Sequence, residues 1–408
     1  MSLKRLGICL VAILFLVGLS APVAFSAPPV KLGFIYILSG PFATYGQFAK
    51  KGALMAIDEI NKSGGILGRK VEAYFEDSTA KADVALRAIR KLVLQQKVDG
   101  LIGFDSSGVA KSVVGTIAQL KTPLIITHAA TPDVTGKQCN KYTFRISVNL
   151  AQNVKAGAIL ASQMKAKKWT TIGPAYAFGF QSWEYFQKYL KELKPDAEFF
   201  KKDEVAFPPF KTTDFSPYIT KVMKSKPDGV LISLWGGNLV NFIRQANDMG
   251  FFKGDFEVLI TLGAAVEVLS ALGKKMPEGL WVGTRYWFLA NQSEVNKKFV
   301  TNYYNRYKNY PSYNAHGAYA AVYAYKKAAE KVNSVGKDKI VEGLEGLTIE
   351  LPVGKVFIRP QDHQAVCDAT WGKTKFSPDY PFAILDPIKT FSGTMVTRPV
   401  SETGCNMK

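Results

Sequence analysis

Two short segments hold the residue types that could do chemistry. One runs from Leu38 to Asn61, LSGPFATYGQFAKKGALMAIDEIN; the other is IITHAAT, Ile125 to Thr131. In the first, a turn of small residues opens a helix. In the second, an apolar strand stops at a small, polar loop. Both arrangements present backbone N–H groups and hydroxyls at the mouth of an α/β sheet, where they suit a small anionic ligand. Catalysis would need a nucleophile, a base and their mutual geometry. The only histidines, His128, His316 and His363, are well separated in the sequence. No GxSxG, HExxH or Walker-type loop occurs, no GxGxxG follows the first strand, and no CxxC is present. The residues therefore predict capture of a small molecule, with no enzyme activity, no cofactor and no metal.

The elements that must position these segments alternate between strand and helix. Lys31–Leu38 is an apolar run of strand length, and Tyr45–Asn61 follows as a helix that Gly64-Gly65 ends. Val71–Phe75, Gly100–Gly103 and Pro123–Thr127 read as strands, with helices over Lys81–Gln96 and Val109–Gln119 between them. A second series begins after Arg145. It has strands at Thr170–Gly173, Glu198–Val205, Gly229–Ser233, Glu257–Thr261 and Leu280–Thr284. Its helices lie over Ala151–Ala166, Phe180–Lys194, Tyr218–Lys224 and Gly237–Met249. Helices at Ser293–Tyr307 and Asn314–Asn333 follow, then a tail with a candidate strand at Gly354–Ile358. Repeated βα units imply parallel sheets covered on both faces. No low-complexity linker separates the two halves, so ordered strands acting as a hinge are expected.

The first 26 residues read as an export signal: Lys4 and Arg5, an apolar run from Leu6 to Leu19, and Ala24-Phe25-Ser26 before the cut. No later segment approaches the ~20 apolar residues of a membrane span. A soluble, exported protein of two domains is expected. The formal charge is +19, of which Lys4 and Arg5 supply two. The lysines are spread over helix faces without an Arg-rich, aromatic-interleaved run, so nucleic acid is not an expected partner. Cys139, Cys367 and Cys405 remain after the signal, enough for one disulfide and one thiol. Cys405 sits in a polar tail where a staple is useful, and Cys139 is its favoured partner.

In order and spacing, LSGPFATYG (Leu38–Gly46), AIDEINKSGGILGRKVE (Ala56–Glu72), GFDSSG (Gly103–Gly108), THAATPDVT (Thr127–Thr135) and TDFSPYITKVMKSKPDGV (Thr213–Val230) form a specific set. With these marks the chain resembles a type I periplasmic solute-binding protein of the branched-chain amino-acid family of ABC importers, from about Val30 to Cys405. The resemblance implies two Rossmann-like lobes joined by three crossings, with the ligand in the cleft between them. The expected division is 27–146 for the first lobe, 147–280 for the second, 281–350 for a segment returning to the first, and 351–408 for a hinge-proximal tail. It also implies a periplasmic monomer that hands its ligand to a membrane permease. A ligand-sensing receptor subunit of the same fold is the alternative.

Residue by residue, the resemblance places Ser107 on the ligand carboxylate, Ala129, Ala130 and Thr131 beside it, and Tyr45 packed on the ligand. Ser107 and Thr131 could instead only cap helices. Phe178 and Trp235 stand where relatives carry aromatics and would form an apolar wall. His128 abuts the Ala-Ala-Thr loop and could donate to an anion or simply pack. Tyr176 and Arg285 are further candidates. Arg285 could meet a second carboxylate or pair between lobes. Relatives that bind amino acids hold the ammonium with an acid early in the loop that here reads TLGAAVE, Thr261–Glu267, and that acid is missing. An ammonium buried without a counter-charge is costly. The ligand is therefore expected to carry a carboxylate, as a branched-chain or related amino acid or as an aromatic or aliphatic acid, and the missing loop acid favours one without an α-amino group.

Overall fold

The computed structural model describes residues 27–407. The expected export signal lies outside the described residues. The first sheet has the order β2-β1-β3-β4-β5 and is parallel throughout. Its strands are β1 (Val30–Tyr36), β2 (Val71–Asp77), β3 (Gly100–Gly103), β4 (Leu124–Ile126) and β5 (Thr143–Arg145). β3, β4 and β5 are buried throughout and β1 at every residue but Lys31, as expected for short apolar runs covered on both faces. Helix Ala43–Lys62 packs against helix Tyr313–Val332, which returns to this lobe late in the chain. Their approach needs Gly52, since a Cβ there would lie 2.0 Å from the Ala315 carbonyl oxygen.

The second sheet has the order β15-β14-β10-β9-β8-β6-β7. It contains β6 (Lys168–Ile172), β7 (Glu198–Phe199), β8 (Gly229–Ile232), β9 (Glu257–Ile260) and β10 (Trp281–Thr284) as parallel strands. Between β10 and its neighbour β14 the chain forms a small antiparallel sheet of β11 (Thr348–Leu351), β12 (Gly354–Ile358) and β13 (Ala365–Val366). Then β14 (Ala369–Lys375) and β15 (Ile384–Phe391) extend the second sheet in antiparallel fashion.

Four expectations need correction. The strand over Glu198–Val205 is cut to β7, because Lys201 and Glu204 close a turn on each other. The helix over Lys81–Gln96 ends as Ala82–Arg90 and continues as a π-type turn, Lys91–Gln95. The first-lobe return does not begin at residue 281: β10 pairs with β9 and β14 inside the second sheet, and the chain leaves that lobe only after Thr284. Likewise much of the 351–408 stretch, β14 and β15, is second-lobe sheet rather than tail.

Up to β15 the chain passes between the lobes three times: before helix Leu150–Ser162, after β10, and between β13 and β14. Two of these crossings are tied by Gln364. Its Oε1 accepts from Thr135, Arg145 and Asn149, and its Nε2 donates to the Ser147 carbonyl and to Gln152 Oε1. After β15 the chain returns to the first lobe, where Cys405 is disulfide-bonded to Cys139 with Cα atoms 5.6 Å apart. Cys367 is a buried free thiol. Among the described residues, no helix is long and apolar enough to cross a membrane.

Candidate functional site

The C-terminal ends of the first-lobe strands face the second lobe across a narrow pocket. Of the expected site residues, Tyr45, Ser107, His128, Ala130, Phe178 and Trp235 line it, and so do Tyr176 and Arg285. Ala129 and Thr131 lie behind the wall, fully buried. Thr131 does what a capping threonine does: its hydroxyl accepts from Asp133 N at 3.3 Å and starts the short helix Pro132–Thr135.

Ser107 has a different task. It stands in the first turn of helix Ser107–Gln119, and its Oγ accepts from Ala130 N at 3.2 Å and Thr131 N at 3.1 Å. With both donations received on oxygen, the hydroxyl hydrogen remains free to donate. One hydroxyl and two loop N–H groups thus converge on one point of the wall.

Arg285 adds a charge there. It is the first residue after β10, is buried, and lines the pocket. One terminal nitrogen donates to the His128 carbonyl, and the guanidinium lies 5.4 Å from the centre of the Tyr313 ring. No carboxylate lies within ion-pair distance of it among the described residues. Burial pushes its pKa below the ordinary arginine value, opposed by Tyr313, Tyr45 and Asp105 nearby.

The acids near the pocket are already engaged. Asp105 accepts from Ile37 N at 2.6 Å and faces His128 Nδ1 at 3.0 Å. His128 Nε2 lies 3.0 Å from the Asn314 carbonyl oxygen, to which it can only donate. Both ring nitrogens are thus spent on the protein, and His128 offers the pocket its ring rather than a hydrogen bond. Glu267 is buried behind the wall, where Oε1 accepts from Ser312 Oγ and Asn314 Nδ2, both at 2.7 Å. Burial pushes its carboxyl up to about 7.

The remaining wall is aromatic. Trp235 Nε1 donates to the Tyr176 hydroxyl at 2.9 Å, and Tyr45, from the other lobe, packs 5.4 Å from the Trp235 ring. The Tyr45 hydroxyl accepts from Gly236 N at 3.1 Å, a hydrogen bond that spans the cleft. The lobes are closed on each other. Four lining residues escaped the sequence reading: Asp105, Leu262, Tyr313 and Asn314. Asp105 lies inside the quoted GFDSSG segment, and Leu262 inside TLGAAVE. Tyr313 and Asn314 open a helix two hundred residues after the first-lobe loops, and only the Ser312 cap marks them.

Two α/β lobes joined by several crossings around a closed interlobe pocket are the architecture of a solute-binding protein. The profile described as "Periplasmic binding protein" matches residues 29–377, and the chain belongs to that family. It is similar to Leu/Ile/Val-binding protein homolog 4 of Brucella abortus, with 26% identity over 94% of each chain. An amino acid ABC transporter substrate-binding protein from Pseudomonas fluorescens Pf-5 superposes with a TM-score of 0.82 at 24% identity, covering 93% of this chain and 100% of that one. An ABC transporter solute-binding protein from Rhodopseudomonas palustris BisB5, solved with 3,4-dihydroxybenzoic acid, gives 0.80 at 23% identity, covering 90% and 98%.

Proposed function

We propose that this protein captures a small carboxylic acid lacking an α-ammonium group, aromatic or aliphatic, and delivers it to a membrane permease from the periplasm, as a monomer and without chemical turnover. The observation that carries this reading is Arg285: a buried cation lining the pocket with no carboxylate partner. A charge in that position is costly until an anion joins it. Ser107 Oγ–H stands ready to donate to the same anion, and charge-assisted hydrogen bonds are the stronger kind. The acceptors are less exposed to a ligand charge: the Asp105 oxygens face Ile37 N and His128, Glu267 lies behind Asn314, and the unpartnered Asn314 Oδ1 is a neutral amide oxygen. Tyr45, Tyr176, Phe178 and Trp235 suit an apolar or aromatic body. A relative in fold was solved with an aromatic acid, which agrees with this chemistry, while relatives in sequence are named for branched-chain amino acids.

Closure expels water and strengthens the contacts made by Arg285 and Ser107. The ligand favours the closed form by its differential affinity for the two forms. The test is thermal unfolding of ligand-stripped protein with benzoate, 4-hydroxybenzoate, leucine and valine. An acid at a hundredfold excess over its Kd stabilises by about 2.7 kcal/mol. Stabilisation by leucine or valine with none by the aromatic acids overturns the proposal.

A further inference from the structure

Beyond the pocket, on the other side of its aromatic wall, lies a second interlobe cleft, an outer chamber that opens toward solvent. It is lined by Phe42, Phe210, Ser39, Thr212, Asn238 and Asn241, among others, and shares no lining residue with the inner pocket. Between the two stands a stack of rings. Phe42 lies 4.8 Å from Phe210, with the ring planes only 7° apart, and 4.3 Å from Trp235. Phe210 in turn lies 5.0 Å from Tyr176. Trp235 and Tyr176 face the inner pocket; Phe42 and Phe210 face the outer chamber.

Three of these rings belong to the second lobe. Phe42 alone comes from the first, at the residue before helix Ala43–Lys62. It stands between the two spaces, packed on Phe210 and Trp235. The second lobe is shaped to receive it: a Cβ at Gly236 would lie 2.6 Å from the Phe42 ring, and one at Gly237 2.7 Å from the Pro41 carbonyl oxygen. Phe42 is 4% exposed, almost wholly covered by these neighbours.

We infer that Phe42 sets the length of ligand that the cleft accepts, as a stop between the inner pocket and the outer chamber. The inference rests on the acid reading of the pocket. An acid anchored at Arg285 and Ser107 fits while its far end stays short of Trp235. A longer one must displace the Phe42 ring or hold the lobes apart.

The experiment is titration calorimetry with 4-hydroxybenzoate and the longer 4-hydroxycinnamate, on wild type, Phe42→Ala and Phe42→Leu. Wild type is expected to prefer the shorter acid. Phe42→Ala is expected to shift the affinity ratio toward the longer acid by about tenfold or more, within the range an apolar pocket can discriminate. Phe42→Leu shifts it the same way by less, and serves if the alanine variant does not fold. Loss of affinity for both acids by the same factor overturns the inference, because Phe42 would then only latch the lobes. So does a wild type that already prefers the longer acid. A wild type that binds neither acid overturns the acid reading, and this inference with it. Binding of 4-hydroxybenzoate with an unmoved ratio in both variants overturns this inference alone.

Discussion

Arg285 and Glu267 are both charged types buried near one pocket, yet they answer different questions. Arg285 lacks a carboxylate partner, so replacing it should harm binding more than folding. Arg285→Met is expected to weaken benzoate by about a hundredfold, in line with loss of one member of a buried charge pair. It should leave the melting temperature of the ligand-free protein unchanged or raised, since an uncompensated charge is removed. Calorimetric binding and unfolding on the same sample check both halves. Glu267 concerns pH. Its carboxyl rises from 4.5 to about 7 on folding, with burial as the main cause. The folded protein therefore holds this proton more tightly than the unfolded chain, and stability is lost as pH rises from about 4.5 to about 7, by about 3 kcal/mol. His316 runs the other way, its pKa lowered by burial from 6.5 to about 3, so its contribution is lost as pH falls below 6.5. The clean measurement is the difference between wild type and Glu267→Gln. That variant should melt higher at pH 8 and about equally at pH 4.5; equal melting at both would refute the assignment. At this scale the sequence was legible where a site residue sits in a local motif, as Ser107 does in GFDSSG. It was poorly legible for Arg285, Tyr313 and Asn314, whose meaning comes from what the fold sets opposite them.

At the scale of elements, strands announce themselves when both faces are buried. β3 falls on the residues expected from apolar pattern and turn chemistry alone, and β12 does so with one face buried and the other exposed. β7 does not, because a strand at the sheet edge is set by where its neighbour ends, and no composition in Glu198–Val205 says that pairing stops at Phe199. The Gly236-Gly237 turn joins element to function. It opens helix Gly236–Asp248 and meets Pro41 and Phe42 of the opposite lobe only when the cleft is shut. Gly237→Ala should therefore cost the closed form alone. Affinity for a bound acid is expected to fall about tenfold or more, with little change in ligand-free melting, and small-angle scattering should find the liganded variant more open than wild type. An unchanged affinity would mean that the Pro41 turn yields without cost.

At the scale of the whole molecule, the two series of βα units declared two lobes, but not how the chain shares itself between them. The last strands enter the second sheet antiparallel, after more than eighty residues spent largely on the first lobe, and local pattern has no means of recording that return. The segment after β15 then ties the lobes again. Arg398 donates to the Tyr185 hydroxyl of the second lobe, while Cys405 is bonded to Cys139 of the first. The disulfide closes a separation of 266 residues. Cys405→Ser is expected to cost about 2–4 kcal/mol, read as a lower melting temperature under non-reducing conditions. Reductant should lower the wild type to the level of the variant, and no such convergence would count against the staple.

The same bond imposes an order on the protein's making. Cys139 is synthesised before any strand of the second sheet, and Cys405 after all of them. The nascent first lobe must therefore wait with an open thiol while the whole second lobe is added. Because Cys405 follows β15 in the sequence, the cross-link can form only after every strand of the second sheet has been made.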